Sequence, residues 1–156
     1  MHSRIFQISS NPITEENLIK ESNYDENESF GYVVTSNEVK EDLQWIQEAT
    51  QGLEVNIKEK TITIKSKKEY FSKKHDTFIE LAEKLSYTTL DEFIKSGWGN
   101  GLLSNFTDLK DAYEEEQAFY IDDNYECFGL TTLDNWVRNA EENKKYYIGN
   151  IFDYHI

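Results

Sequence analysis

Near the end of the chain, Asp153 and His155 have the residue types and the spacing of a catalytic pair. Residues two apart in an extended strand point to the same face, so the carboxylate could orient the imidazole as in a nucleophilic triad. The nucleophile would then be Cys127 or a serine or threonine, yet no signature motif surrounds any of these. The simpler interpretation is a strand with its polar side in water. We favour that interpretation and expect the protein not to be an enzyme.

An acidic segment at residues 111–126 contains seven carboxylates and no basic residue. From Asp122 onward, its first, third and fifth positions follow the ligand spacing of a calcium loop. The sixth and twelfth positions are Cys127 and Leu133, where that loop requires a glycine and a bidentate glutamate. A looser cation site is the remaining alternative, since acidic clusters attract metals. The histidines and the single cysteine lack zinc-ligand spacing, so we expect no metal and no cofactor.

We interpret this acidic segment as a contact surface for a basic partner protein. Repulsion among the acids destabilises an isolated chain, and a partner would relieve that repulsion. The tyrosines would add apolar area, while the charges would accelerate the encounter. The alternative is a surface that serves only to keep the protein in solution. The predicted contact residues are Asp111, Tyr113, Glu114, Glu115, Glu116, Tyr120, Asp122, Asp123 and Tyr125.

Two further segments contain residue types that are found in binding sites. SGWGNG, residues 96–101, has three glycines but neither the glycine spacing nor the lysine of a phosphate-binding loop. It is interpreted as a connection whose one candidate binding residue is Trp98, because rigid aromatic side chains make good anchors. Residues 60–75 hold six basic residues and one acidic residue. We interpret this basic segment as paired with acids of the same protein rather than with nucleic acid.

The composition describes a folded and strongly acidic protein. The chain of 156 residues carries 16 basic and 30 acidic residues, a net charge of −14, and 14% of its residues are aromatic. Aromatic richness argues against disorder, and the length suits one domain spanning residues 1–156. No signal-peptide core is present, and no apolar run approaches the roughly 20 residues of a membrane helix. We therefore expect a cytoplasmic protein that contacts neither membranes nor nucleic acid directly, since its charge repels both.

Hydrophobic periodicity predicts the elements that would position these residues. Strands are expected at SRIFQIS near the N-terminus, at FGYVVTS and over residues 144–156, with a bend at Gly149. Helices are expected from Thr14, across EVKEDLQWIQEAT, over residues 67–86, from Thr89, around residues 102–113 and from Thr132. Capping boxes are expected at Thr35 with Glu38 and at Thr89 with Glu92.

The clearest local prediction is a hairpin formed by LEVNIKEKTITIKS. A two-residue turn at residues 59–60 would pair Ile57 with Ile62 and Val55 with Ile64. Both pairs then fall on one face, so the register agrees with the apolar pattern.

Together these elements predict an α+β fold: an antiparallel sheet with several helices packed mainly on one face. The predicted function is a protein-binding module that engages a basic surface of its partner. Immunity proteins against nuclease toxins and phage-borne inhibitors of nucleic-acid enzymes share this size and charge, which is an analogy of physical character alone. The alternatives are a structural or regulatory domain, and a small hydrolase using Asp153 and His155. No pattern in the sequence indicates the oligomeric state.

Overall fold

The fold is described from a computed structural model, which covers residues 3–24, 32–96, 101–113, 119–123 and 130–155. In these ranges the strands are β1 Ser3–Ser9, β2 Tyr32–Thr35, β3 Leu53–Asn56, β4 Thr61–Ile64, β5 Phe119–Asp122, β6 Leu130–Thr132 and β7 Lys145–His155. The helices are α1 Val39–Ala49, α2 Lys67–Ser86, α3 Leu90–Lys95, α4 Gly101–Tyr113 and α5 Leu133–Asn139. Two single-turn 3-10 segments follow β1, at Glu15–Asn17 and Glu21–Asn23.

The strands form one sheet in the order β3-β4-β7-β1-β5-β6, and β2 also pairs with β7. The pairing of β1 with β5 is parallel, and the other pairings between the described strands are antiparallel. The predicted α+β class with a mainly antiparallel sheet is therefore confirmed. β7 is the central strand, since β1, β2 and β4 all bond to it.

Backbone contacts divide the chain into two units. The sheet unit comprises Met1–Tyr70 and Gln117–Ile156, and it contains the strands named above. The helical unit, Phe71–Glu116, contains α3, α4 and most of α2. The acidic segment at residues 111–126 therefore begins in one unit and ends in the other.

β1 is buried on both faces, which explains why its sequence alternates imperfectly. Arg4 and Phe6 point to the face that α1 covers, and both are buried. On the opposite face Ile5 is fully buried against Ile19 and Tyr24, which come from the segment with the two 3-10 turns. The face of β1 that carries Ser3, Ile5 and Gln7 is therefore in the interior, although two of these three residues are polar.

The hairpin of β3 and β4 is confirmed, but with a register two residues away from the predicted one. The strands pair Leu53 with Ile64 and Val55 with Ile62. The predicted pairing of Ile57 with Ile62, and of Val55 with Ile64, is wrong. A shift of two residues leaves every side chain on its own face, so the apolar pattern cannot distinguish the two registers.

The turn between these strands sets the register, and it spans the four residues 57–60 rather than two. Asn56 ends β3, and its Oδ1 accepts hydrogen bonds from the backbone N–H groups of Lys58 and Glu59, each at 3.1 Å. Asparagine commonly directs a turn through such local bonds. Lys60 then adopts φ +50°, a left-handed conformation that completes the reversal.

The predicted capping box at Thr35 and Glu38 is also wrong. Thr35 ends β2, and Glu38 is the N-cap of α1 without a side-chain capping bond. Ser36, between β2 and α1, provides a local side-chain bond instead: its Oγ accepts a hydrogen bond from the Glu38 N–H at 3.1 Å. The capping box predicted at Thr89 is confirmed. Thr132, where a helix was predicted to begin, caps α5 through its side chain.

The helix predicted from Thr14 is reduced to a single 3-10 turn. Gln7 of β1 explains the difference. Its amide nitrogen donates to the backbone carbonyl of Asn17 at 2.6 Å, and its amide oxygen accepts from the N–H of Ile19 at 3.1 Å. Those two backbone groups are the ones that a longer helix would need, so the segment runs extended across β1. The helix predicted over residues 67–86, in contrast, matches α2.

Candidate functional site

A buried ion cluster lies on the face of β1 that α1 covers. Arg4 Nε donates to Asp42 Oδ1 at 2.7 Å, and Arg4 Nη1 lies 2.9 Å from Asp153 Oδ1. The second contact has the distance of an ion pair without the direction of a hydrogen bond. Ser36 Oγ donates to the other carboxylate oxygen of Asp42. The ion cluster, defined as Arg4, Asp42, Asp153 and Ser36, joins β1, α1, β7 and the end of β2.

Asp153 belongs both to the ion cluster and to the predicted catalytic pair. A carboxylate that orients a catalytic histidine bonds to the imidazole ring, whereas Asp153 contacts the guanidinium of Arg4. The strand places His155 opposite Tyr32 of β2. The imidazole of His155 and the whole of Cys127 lie outside the described part of the chain. Whether Asp153 and His155 act together stays a prediction, and the described contact of Asp153 is its ion pair with Arg4.

Asp122 of the acidic segment faces inward. It is 7% exposed, and its Oδ2 accepts a hydrogen bond from the Tyr24 hydroxyl at 2.8 Å. Burial, together with the nearby charge of Asp122, raises the pKa of Tyr24 well above its ordinary value, so the phenol keeps its proton and remains a donor. Asp134 of α5 also accepts a hydrogen bond from a tyrosine, since the Tyr70 hydroxyl donates to its Oδ1 at 2.7 Å. Asp122 is one of the predicted partner-contact residues, and its carboxylate bonds to Tyr24 within the sheet unit.

The other described members of the acidic segment belong to different units. Asp111 and Tyr113 lie on α4 of the helical unit, and both are exposed. In the sheet unit Tyr120 is half-buried and packs edge-on against Tyr154, with ring centres 5.5 Å apart. Asp123 is half-buried at the rim of a cavity. The remaining predicted contact residues lie outside the described residues: Trp98, Glu114, Glu115, Glu116 and Tyr125.

α1 presents an acidic outer face whose residues are not among the predicted contact residues. The inner side of the helix is buried at Leu43, whereas Glu38, Glu41 and Glu48 are exposed. Trp45 lies among these acids with 38% of its surface exposed. The spacing of these four residues places them on one side of the helix. We define the α1 outer face as Glu38, Glu41, Trp45 and Glu48. In the sequence these residues lie on the side of the helix away from the apolar positions Val39, Leu43 and Ile46.

A cavity of about 300 Å³ lies in the sheet unit at the carboxyl ends of the parallel strands β1 and β5. Where neighbouring strands run parallel, this edge of a sheet is a common place for ligands. Among the described residues that line the cavity, Glu16 and Asp123 are acidic and none is basic. The lining comes from residues 7–9, 11–13 and 16–19, with Asn23 and Asp123.

Gln7 fixes one wall of this cavity. Besides its bonds to Asn17 and Ile19, its amide oxygen accepts from the N–H of Asn150 at 3.2 Å. Asn150 in turn donates through its side chain to the carbonyl of Ile19 at 2.9 Å. Gly149 makes room for this arrangement, since a Cβ there would lie 2.2 Å from the Gln7 amide oxygen. The register shift between β1 and β7 falls at the same place, where a bend was predicted.

No protein-family model, curated protein or solved structure matches this chain. Within the described ranges, no three side chains of His, Cys, Asp or Glu are grouped so that they could hold a metal ion. The helices described there include none with the length and apolar character needed to cross a membrane. Inferences about function therefore rest on the geometry and charge of this chain alone.

Proposed function

We propose that this protein is a binding module that engages a basic surface of a partner protein through the α1 outer face. The observation that carries the proposal is Trp45, exposed between Glu41 and Glu48 on a helix whose inner side is fixed to the sheet. Tryptophan at such a position supplies apolar contact area, and the surrounding carboxylates favour a basic surface over an acidic or neutral one. The net charge of −14 adds long-range attraction to basic proteins and repels nucleic acid.

The anchoring of α1 supports this role. Asp42 on its inner side bonds to Arg4, as described above. Near its C-terminal end Gln47 donates to the carbonyl of Leu53 at 3.1 Å and accepts from the N–H of Val55 at 2.6 Å. A helix held at both ends presents its outer side chains without a large ordering cost on binding.

More specifically, we propose that the protein acts as an immunity protein or an inhibitor. In that case the partner is an enzyme of nucleic acids, and the carboxylates of this protein occupy the surface that the enzyme uses for phosphates. The exposed part of the acidic segment, represented by Asp111 and Tyr113, would extend the attraction without forming the anchor.

The test separates steering by the acids from anchoring by Trp45. The wild-type chain first captures its partner from an extract of its own host, and association with the purified partner is then followed at several salt concentrations. The double variant Glu41→Gln/Glu48→Gln should associate about tenfold more slowly at low salt and lose much of the salt dependence. Trp45→Ala should leave the association rate near its wild-type value and raise the dissociation rate about tenfold or more.

The matched control is Glu80→Gln/Glu83→Gln on α2, where both glutamates are exposed and the change in charge is the same. This variant should associate at nearly the wild-type rate. Equal slowing in the two double variants would attribute the effect to net charge and contradict a contact at the α1 outer face. If Trp45→Ala dissociates from the partner at the wild-type rate, Trp45 does not anchor the complex.

A further inference from the structure

We infer that the cavity at the carboxyl ends of β1 and β5 binds an amphipathic organic cation: an alkylammonium or alkylguanidinium group. Its charged head would meet Glu16 and Asp123, and its methylene chain would lie along the apolar part of the lining. The cavity is separate from the α1 outer face, so this site does not depend on the partner-binding proposal.

The sign of the ligand's charge follows from the polar part of the lining. The acidic residues Glu16 and Asp123 line the cavity together with Asn11, Asn17 and Asn23, and no Lys, Arg or His is among the described lining residues. Carboxylate and amide oxygens accept hydrogen bonds, and the bonds they accept from a cationic N–H are the stronger kind. An anion would be repelled by the negative charge of these two carboxylates.

The shape of the ligand follows from the apolar part of the lining. Ile8, Pro12, Ile13 and Leu18 contribute to the walls beside the polar groups. Lysine and arginine bury their methylene stems against such surfaces while the charged head stays with polar groups or water. A bare metal ion would leave these walls unused, and the described residues lack a group of three charged or imidazole donors to hold it.

The size and rigidity of the cavity fit the same ligand. A volume of about 300 Å³ lies at the lower end of the usual range for small-molecule sites, roughly 300–1,000 Å³. It suits a small amine or a single long side chain. The bonds that Gln7 makes to Asn17, Ile19 and Asn150 hold the overlying segment in place, so the cavity exists before the ligand arrives.

The group could come from a free small amine or from a basic side chain of another protein, and both can be tested on the full chain. Agmatine, which has a butyl chain between a guanidinium and an ammonium, represents the free amine. N-acetyl-arginine amide, blocked at both backbone ends, represents the side chain. Pentanol is the neutral control of similar length. Each is titrated at physiological ionic strength while the backbone amide signals of the labelled protein are recorded by NMR.

A saturable shift with agmatine is expected, centred on the amides of residues 9–19 and of Asp123, and none with pentanol. Glu16→Gln and Asp123→Asn should each weaken binding about tenfold, because each removes one charge-assisted contact. Glu16 is exposed, so its substitution tests the site even if Asp123→Asn perturbs the fold. The control Glu80→Gln/Glu83→Gln, which removes two exposed charges on α2, should bind as the wild type does.

Saturation by N-acetyl-arginine amide at the same amides would assign the site to a basic side chain, and saturation by agmatine alone would assign it to a free amine. Shifts that grow without saturation at carboxylates all over the surface would overturn the inference. So would binding that is unchanged in Glu16→Gln and Asp123→Asn. A failure of the α1 outer face to bind a partner would affect neither result.

Discussion

At the scale of single residues, Arg4 determines whether two carboxylates can lie inside the sheet unit. Its side chain is 10% exposed, and those of Asp42 and Asp153 are 4% and 21% exposed. Transferring a carboxylate out of water is unfavourable unless a cation and hydrogen bonds replace its hydration. Arg4 supplies the cation for both, and Ser36 supplies a further donor to Asp42.

Arg4→Met should lower the free energy of unfolding by about 3–5 kcal/mol, because it leaves both carboxylates inside the protein without their cation. Chemical denaturation at neutral pH measures this quantity. Adding Asp42→Asn and Asp153→Asn to the same chain should restore a large part of the loss.

The control for Arg4 is Lys65→Met, which removes an exposed ion pair of 2.6 Å with Glu54. Both partners are more than half exposed, so a change of about 0.5 kcal/mol or less is expected. If Arg4→Met is no more destabilising than Lys65→Met, the ion cluster does not hold α1 on the sheet.

The role of Arg4 was not predictable from the sequence. Arg4 reads as an ordinary polar residue in a strand, and its partners Asp42 and Asp153 are distant from it along the chain. Asp153 shows the same difficulty: its spacing to His155 is a local signal that the sequence displays, whereas its contact with Arg4 is non-local and is not visible there.

At the scale of elements, Gln7 and Gly149 show how one side chain can determine the conformation of a neighbouring segment. The amide of Gln7 replaces helical hydrogen bonds in the segment after β1, and Gly149 leaves the space that this amide fills. The segment is therefore a wall of the cavity rather than a helix.

Gly149→Ala should lower the free energy of unfolding by about 1–3 kcal/mol, since the added methyl group displaces the Gln7 amide from a packed interior. Thermal or chemical unfolding provides the measurement. Gly101→Ala is the matched control, because a Cβ there meets nothing within 4 Å. As a helix residue, Gly101 should tolerate alanine with no loss, or with a gain of up to about 1 kcal/mol. Equal effects at the two glycines would show that Gln7 readily finds another position.

The elements themselves were largely predictable, and the reasons for the failures are specific. α2 and the helices capped by Thr89 and Thr132 follow from local signals, and the structure confirms all three. The register of the β3–β4 hairpin depended on Asn56, whose side chain bonds within the turn and lengthens it. Apolar alternation has a period of two residues, so it cannot distinguish two registers that differ by two residues.

At the scale of the whole molecule, charge is the dominant feature. A net charge of −14 on 156 residues means that compact states experience self-repulsion, which counter-ions reduce. The sequence predicted this property in full, and also the α+β class, because both depend on composition and periodicity. It did not predict which carboxylates face solvent: Asp122, in the middle of the acidic segment, is buried, whereas Glu41 and Glu48 on α1 are exposed.

The free energy of unfolding should therefore rise when sodium chloride increases the ionic strength from about 10 mM to about 150 mM, over which the Debye length falls from about 30 Å to about 8 Å. Denaturation with urea, which is uncharged, measures this effect. The variant Glu80→Gln/Glu83→Gln, with two charges fewer, should show a smaller rise. Stability that falls with salt would mean that attractive ion pairs outweigh the repulsion.

The position of β7 has a consequence for how the protein reaches its fold. β7 pairs with β1, β2 and β4, all of which are synthesised before it. Until the ribosome has released residue 155, β1 lacks its longest partner, and Ile5, Phe6 and Ile8 have no completed sheet in which to be buried. Pairing of Ser3 with Tyr154 also closes a long loop, a slow step in folding. Before β7 is available, the growing chain therefore exposes apolar side chains and unpaired strand edges that the folded protein buries, and such surfaces favour aggregation.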